Sequence, residues 1–237
     1  MADCNPCQVP MEARLKLSKV STHPPTDATF YRSIVGCLRY LVNTRPDISY
    51  AVGYLNRFVE TPTTKHWNAV KHILRYLAGI KNMGCYYPRK KGVELPTLMG
   101  YCDSDMAGDV DDRKSTTGVF FKLGQSMITW QSQKQKVVAL SSCEAEYITA
   151  TTAACQAIWL ARLLSELLKT EPKCVTLKVD NKSTISLCKN PVFHDRSKHI
   201  DTRYHFIREC VEGGKIPFVR NMFVRSSKEA AIKCKIH

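Results

Sequence analysis

The sequence lacks any apolar run of about 18 residues, the minimum length for a helix that crosses a bilayer. Its first residues, MADCNP, have neither the basic nor the apolar part of a secretory signal peptide. We therefore expect an intracellular protein, cytoplasmic or nuclear, with no membrane partner.

A disulfide framework is also missing. The chain has 11 cysteines, an odd number, and they are scattered through segments with helix or strand patterns. The single Cys-x-x-Cys, formed by Cys4 and Cys7, has no second pair at a zinc-site spacing. We expect most cysteines to be reduced, small apolar residues of the core.

Acidic residues are few compared with basic ones. The 35 Lys and Arg against 21 Asp and Glu give a formal net charge of +14 at pH 7. Such an excess favours a polyanionic partner such as nucleic acid, although a basic surface kept for solubility fits it equally. With 237 residues and 44% hydrophobic content, the chain is long enough for one good core and a smaller second unit.

Three segments follow from the pattern along the chain. Residues 1–26 are rich in Pro, Ser, Thr and Lys, which predicts a flexible tail. In residues 27–95, apolar residues at three-and-four spacing predict a small α-helical unit, with two or three helices that break near Pro46 and Pro62. In residues 96–237 the period first drops to two, which predicts strands followed by helices.

The third segment has the pattern of an α/β domain. A long helix ended by a Pro and a later helix closed by two Gly are interleaved with the strands, and a mixed β-sheet flanked by helices is the natural packing of that order. A tight hairpin turn is predicted at Gly124 and Gln125. The predicted strands are 98–103, 118–123, 126–131, 137–140, 175–179 and 216–219, and the predicted helices are 142–169 and 200–212.

Two carboxylates stand at strand ends. Asp103 closes the first strand and Asp180 follows the strand after the long helix, so pairing of these strands would bring both to one sheet edge. The long helix offers Glu144 and Glu146 as a third acid. Ser141 and Glu144 match a capping box, which gives Glu144 a structural task and leaves Glu146 for the chemistry.

Three carboxylates packed together repel one another and favour a cation. Hard oxygen ligands select Mg²⁺ or Mn²⁺, and two such ions can clamp a phosphodiester for attack by water. The further acids from Asp105 to Asp112 fit a solvated turn between strands.

Several motifs make the family recognisable. The sheet segment carries GYCDSD at residues 100–105, DDRKSTTG at 111–118, ITWQS at 128–132, ALSSCEAEY at 139–147 and KHIDTRYHFIR at 198–208. The helical segment carries YRSIVG at 31–36, TRPDI at 44–48 and LRYL at 74–77. Over nearly its whole length, the chain resembles the C-terminal connection and ribonuclease H region of Ty1/copia-type retrotransposon Pol polyproteins.

The resemblance implies an endonuclease that cleaves the RNA strand of RNA–DNA hybrids by two-metal-ion hydrolysis. The residues that match the family's acids are Asp103, Glu146 and Asp180, in an order that differs from the Asp, Asp, Glu of integrases. Asp47 belongs to the helical unit and is expected to be structural. No Tyr-x-Asp-Asp polymerase motif is present, so polymerase activity is not implied.

Basic residues around the acids are expected to hold phosphates without reading sequence. The expected partners are an RNA–DNA hybrid and the reverse transcriptase portion of the same polyprotein. The candidate nucleic-acid-binding residues are Arg113, Lys114, Lys134, Lys136, Arg196, Lys198 and Arg203.

The chain departs from the family in two places. Met106 stands where the family usually has Trp, and residues 228–237 read KEAAIKCKIH where the family supplies a fourth carboxylate in an Ala-Asp motif. No Asp follows Asp201, and Glu229 is the only nearby carboxylate. We therefore expect weakened catalysis; the alternative is a non-catalytic, transposon-derived nucleic-acid-binding or scaffold protein.

Overall fold

The computed structural model of this chain describes residues 4–89, 97–189 and 201–220. Their contacts divide them into two compact units. The helical unit contains residues 4–86 together with the short segment 109–113, and the sheet unit contains the remaining described residues.

Three helices build the helical unit. They are α1 (Ala28–Val42), α2 (Ser49–Leu55) and α3 (Thr64–Gly79), with short 3-10 turns at Pro46–Ile48 and Asn56–Phe58. Helix α1 begins after Asp27, whose Oδ1 accepts hydrogen bonds from the backbone N–H of Thr29 and Phe30. The prediction of two or three helices with breaks near Pro46 and Pro62 is therefore confirmed, with three helices observed.

The expected tail is corrected for the residues before α1. Residues 4–26 form no helix, but Leu17 is only 1% exposed and belongs to the helical core. Its backbone N–H donates to the Tyr54 hydroxyl at 3.0 Å, and Thr26 N–H donates to Pro62 O at 3.0 Å. One well-placed leucine thus fixes a segment whose composition indicates no regular structure.

The sheet unit has five strands: β1 (Leu98–Ser104), β2 (Thr116–Leu123), β3 (Ser126–Lys134), β4 (Thr176–Val179) and β5 (Phe218–Arg220). Their order in the sheet is β3-β2-β1-β4-β5. Strands β1 and β2 pair antiparallel, as do β2 and β3, whereas β4 pairs parallel with both β1 and β5. Gly124 has φ +62° in the two-residue β2–β3 turn, as a tight hairpin requires.

Helix α4 (Ser142–Leu168) covers one face of the sheet, and α5 (Lys182–Lys189) and α6 (Asp201–Glu212) pack beside it. Small residues on α4, such as Ala150 and Ala154, are fully buried and let the helix approach the strands closely. The predicted mixed sheet flanked by helices, preceded by a helical unit, is confirmed. No helix within the described ranges is long and apolar enough for a membrane span.

One predicted element is wrong, and one observed helix was not predicted. Residues 137–140 form no strand, because only Ala139 is buried while Val138 and Leu140 are 43% and 72% exposed on the way into α4. Helix α5 has no counterpart in the sequence prediction, which contains only the Asp180 strand end at this point. Its first turn is capped by Asn181, whose side chain accepts from Ser183 N–H at 2.8 Å.

A buried ion pair closes the helical unit. Arg45 and Asp47 are 7% and 3% exposed, and the guanidinium donates to both carboxylate oxygens, at 2.9 Å from Nε and 2.6 Å from Nη2. The Tyr76 hydroxyl on α3 donates to the same carboxylate at 2.9 Å. Asp47 therefore joins the Pro46 turn to α3, which is the structural role expected for it.

Replacement of Asp47 by Ala should destabilise the protein by about 3–5 kcal/mol, because Arg45 would be left as an uncompensated buried charge. The change in unfolding free energy can be measured by urea unfolding followed by circular dichroism. Exposed Glu60 provides the control, since Glu60→Ala should change stability by no more than about 0.5 kcal/mol. Tyr76→Phe removes one hydrogen bond and should cost about 1 kcal/mol, so an unaffected Tyr76→Phe would contradict this role.

Candidate metal centre

The pairing of β1 with β4 brings two carboxylates together. In this parallel pair Tyr101 lies opposite Lys178. Two residues further along each strand stand Asp103 and Asp180, so both acids reach the same edge of the sheet at the same level. This is the arrangement that the sequence predicts from the strand ends.

Helix α4 supplies the third acid in its second turn. Ser141 caps this helix, with Oγ accepting from Glu144 N–H at 3.1 Å, and Glu144 Oε2 accepts from Leu140 N–H at 3.0 Å. Glu144 therefore has the predicted capping task, although it reaches the amide one residue before the cap. Glu146 is left to face the two aspartates.

The three side chains form a compact cluster. One carboxylate oxygen from each of Asp103, Glu146 and Asp180 lies within 4.8 Å of the others. Glu146 is only 8% exposed, and among the described residues Glu146 Oε2 and Asp180 Oδ1 are buried without a hydrogen-bond partner. Buried oxygens that lack a donor are expensive unless a proton or a cation satisfies them.

The cluster changes the acidity of its members. Burial, followed by the negative charges of Asp180 and Asp103, raises the pKa of Glu146 to about 8. The Cys102 thiol lies in the core beside the cluster, and burial together with the same carboxylates raises its pKa well above the usual value. Cys102 is therefore a neutral packing residue.

A divalent cation fits this site on the observed geometry. Three carboxylates within coordination reach of one point, two of them with buried orphan oxygens, are hard ligands of the kind that Mg²⁺ and Mn²⁺ prefer. No other group of three acidic, His or Cys side chains with this geometry occurs in residues 4–89, 97–189 and 201–220.

A buried amide fixes the start of α4. Gln135, directly after β3, is 6% exposed, and its Nε2 donates to Ala145 O at 2.9 Å, Thr117 Oγ1 at 3.2 Å and Thr149 Oγ1 at 3.3 Å. The two threonine hydroxyls also hydrogen-bond each other at 2.9 Å. This network ties β2 to the turn of α4 that carries Glu146, and the sequence analysis does not identify it.

The acidic turn after β1 is not simply solvated, which corrects the expectation for Asp105 to Asp112. Asp109 is 3% exposed, accepts from Arg57 Nη1 at 2.9 Å and caps the backbone N–H of Asp111 at 3.0 Å. Asp105 accepts from Thr116 N–H at 2.5 Å. These acids are structural and do not join the cluster.

The candidate phosphate-binding residues have different surroundings. Lys136 and Arg113 are exposed, whereas Lys114 and Lys134 are half-buried. Arg203, on α6, is half-buried as well.

Several sequence-based candidates lie outside the described residues. They are Arg196, Lys198 and the C-terminal acid Glu229. Met106, at the family's usual Trp position, is 45% exposed.

No protein-family model matches the chain. The retrovirus-related Pol polyprotein from transposon TNT 1-94 of Nicotiana tabacum is 46% identical over 220 residues, which cover 90% of this chain and 16% of that polyprotein. The corresponding polyprotein from transposon RE1 of Arabidopsis thaliana is 46% identical over 219 residues, covering 92% of this chain and 15% of its own length. The chain thus spans less than one fifth of the length of these relatives.

Among solved structures, the foamy viral protease-reverse transcriptase in complex with RNA/DNA hybrid is similar in fold. It is 16% identical, with a TM-score of 0.53, and the match covers 88% of this chain and 26% of that chain.

Removal of the Gln135 amide should loosen the start of α4. Gln135→Leu removes three buried hydrogen bonds and leaves only those that Ala145 O and the two threonine hydroxyls make with one another, so we expect a loss of about 1–3 kcal/mol in unfolding free energy. Gln133→Leu, at an exposed position of β3, is the matched control and should be nearly neutral. Equal stabilities of the two variants in urea unfolding would refute the bracing role of Gln135.

The pKa of Glu146 predicts a pH-dependent response to metal. Because the folded-state pKa is raised from 4.5 to about 8, the metal-free folded protein binds a proton that the unfolded chain releases. Stability without metal should therefore fall as pH rises through this window. Because a cation competes with that proton, Mn²⁺ should raise the melting temperature more at pH 8 than at pH 6, by at least about 2 °C.

Differential scanning fluorimetry with and without Mn²⁺ measures this difference. Glu146→Gln should abolish the pH dependence of the Mn²⁺ shift, whereas Glu144→Gln, which keeps the cap, should retain it. The same Mn²⁺ shift at both pH values in the unsubstituted protein would count against the site.

Proposed function

Because the chain belongs to the Ty1/copia-type retrotransposon Pol polyproteins, we propose that it is their ribonuclease H region, an endonuclease that cleaves the RNA strand of RNA–DNA hybrids. The observation that carries this proposal is the cluster of Asp103, Glu146 and Asp180, at the end of two parallel strands of a ribonuclease H-like sheet. Its geometry suits metal-assisted attack on a phosphodiester.

Asp103, Glu146 and Asp180 would hold the metal ions at this edge of the sheet. Bound Mg²⁺ or Mn²⁺ would supply stabilisation of the phosphoryl charge and activation of the attacking water. The water oxygen bonds to phosphorus, the bond from phosphorus to the 3′ oxygen breaks, and the proton ends on the leaving 3′ oxygen. The products are a 3′-hydroxyl and a 5′-phosphate.

The protein's own contribution is preorganisation. The β1–β4 register sets the separation of Asp103 and Asp180, and the Ser141 cap with the Gln135 network sets the position of Glu146. Side chains that are fixed before substrate binds need no reorganisation during the reaction.

Weakened catalysis is part of the proposal. The chain has no Asp after Asp201, so a fourth carboxylate ligand is not supplied by an Ala-Asp motif. With one ligand fewer, binding of a metal ion is weaker, and we expect a requirement for Mn²⁺ or for high Mg²⁺ concentrations. The alternative that this departure favours is a non-catalytic nucleic-acid-binding or scaffold protein.

The partners follow from the same proposal. The net charge of +14 suits an RNA–DNA hybrid, with exposed Arg113 and Lys136 among the residues available for phosphate contacts. The reverse transcriptase portion of the polyprotein is the proposed protein partner, in an intracellular setting.

Cleavage of a labelled RNA–DNA hybrid tests the function. Asp103→Asn should lower the rate at least about 100-fold in Mn²⁺, since it removes a direct metal ligand and substitution of outer-shell partners alone costs 10–100-fold. Glu144→Gln is the matched control on α4 and should keep nearly full activity, because Gln also serves the capping box.

The outcomes separate the two candidate functions. Equal cleavage by the unsubstituted protein and Asp103→Asn would rule out this active site. Salt-sensitive hybrid binding without any cleavage, in Mn²⁺ as well as in Mg²⁺, would instead support the binding or scaffold protein.

A further inference from the structure

Two lysines are held over an aromatic pair on the sheet. Tyr101 of β1 and Phe120 of β2 stack with ring centroids 4.5 Å apart and planes at 6°. Lys122 Nζ lies 5.9 Å from the Tyr101 centroid and 6.0 Å from that of Phe120, and Lys178 Nζ lies 5.3 Å from the Tyr101 centroid. We call these four side chains the aromatic–lysine patch.

Strand alternation places the patch on the face opposite α4. The neighbours Cys102, Phe121 and Leu177 are buried in the core that α4 covers. Because successive side chains of a strand point to opposite faces, the four patch residues share the other face. All four are half-buried and retain contact with solvent.

Both ammonium groups lack a salt bridge, since neither Lys122 nor Lys178 forms an ion pair with a residue of the described ranges. The cation–π contacts restrict the lysine side chains without neutralising them, at a gain of only about 0.5–1 kcal/mol for each partly exposed contact. Fixed, unneutralised positive charges on a sheet face are complementary to a polyanion.

The patch is next to the carboxylate cluster. Tyr101 precedes Asp103 by two residues within β1, and Lys178 precedes Asp180, the first residue after β4, by two residues. Two residues of extended chain span about 6.6–6.8 Å. A lysine side chain on the patch can therefore reach phosphates close to one that is held at the carboxylates.

We infer that the aromatic–lysine patch binds the phosphate backbone of the nucleic acid beside the cleavage site, with Lys122 and Lys178 as the contacting groups. The identity of that nucleic acid as an RNA–DNA hybrid rests on the proposed function, but binding by the patch is measurable without cleavage. Neither lysine is among the candidates predicted from the sequence, although Lys178 lies two residues before Asp180; Lys122 comes close to β1 only through strand pairing.

The test is hybrid binding by the full chain in the Asp103→Asn background, which prevents cleavage. Fluorescence anisotropy with a labelled RNA–DNA hybrid gives the dissociation constant between 50 and 250 mM NaCl. The double variant Lys122→Gln/Lys178→Gln should bind at least about 10-fold more weakly at low salt, and its slope of log affinity against log salt should fall by about two.

Lys71→Gln is the matched control, since Lys71 Nζ also lies over an aromatic ring, 5.8 Å from the Trp67 centroid, in the helical unit. Its salt slope should be unchanged. An unchanged slope in the double variant would overturn the inference, and it is also the result expected if a protein partner rather than nucleic acid occupies this face.

The failure of the patch and of the proposed function are distinguishable. Cleavage by the protein with Lys122 and Lys178 intact, together with an unchanged slope in the double variant, would reject the patch alone. A reduced slope of log affinity against log salt in the double variant, together with no cleavage by the protein that keeps Asp103, would reject the nuclease function and support phosphate binding by the patch. The Mn²⁺-dependent rise in melting temperature should be the same with and without the two lysines, because they are not metal ligands.

Discussion

The parallel pairing of β1 with β4 is the constraint on which the site depends. The register that sets Tyr101 opposite Lys178 also sets Asp103 level with Asp180, so two negative charges are held together by backbone hydrogen bonds. A slip of one residue would turn one aspartate to the other face and disperse the cluster. The core under α4, with Phe121 and Leu177 fully buried, supplies the packing that keeps this register.

The concentration of charge has a cost that appears in the site itself. Glu146 is buried beside two aspartates, its pKa is raised to about 8, and one of its oxygens has no donor. Two contacts oppose the repulsion between these carboxylates by holding the start of α4 in place. They are the cap at Ser141 and the hydrogen bond from the Gln135 amide, and they keep Glu146 from moving away. The three side chains are thus held in place while their negative charges lack a compensating positive charge, an arrangement that favours binding of a cation.

Whether a feature could be predicted from the sequence depends on how far apart along the chain the interacting residues lie. Glu144 and Glu146 could be told apart because a capping box is a pattern of only four residues. Asp103 and Asp180 could be located because each follows from the end of a predicted strand. Leu17 and the Gln135 network were missed because their partners lie 10 to 37 positions away and no local pattern marks them. The strand predicted at residues 137–140 failed since an apolar run before a helix cap has the same composition as a buried strand.

The segment 109–113 bears on the modularity of the chain. It is inserted between β1 and β2, yet its contacts belong to the helical unit, where Asp109 is buried against Arg57. A boundary at residue 95, where the sequence pattern changes, would therefore leave Asp109 on one fragment and Arg57 on the other. The two units have separate cores but are interleaved in sequence, so a cut at this boundary does not yield two self-contained modules.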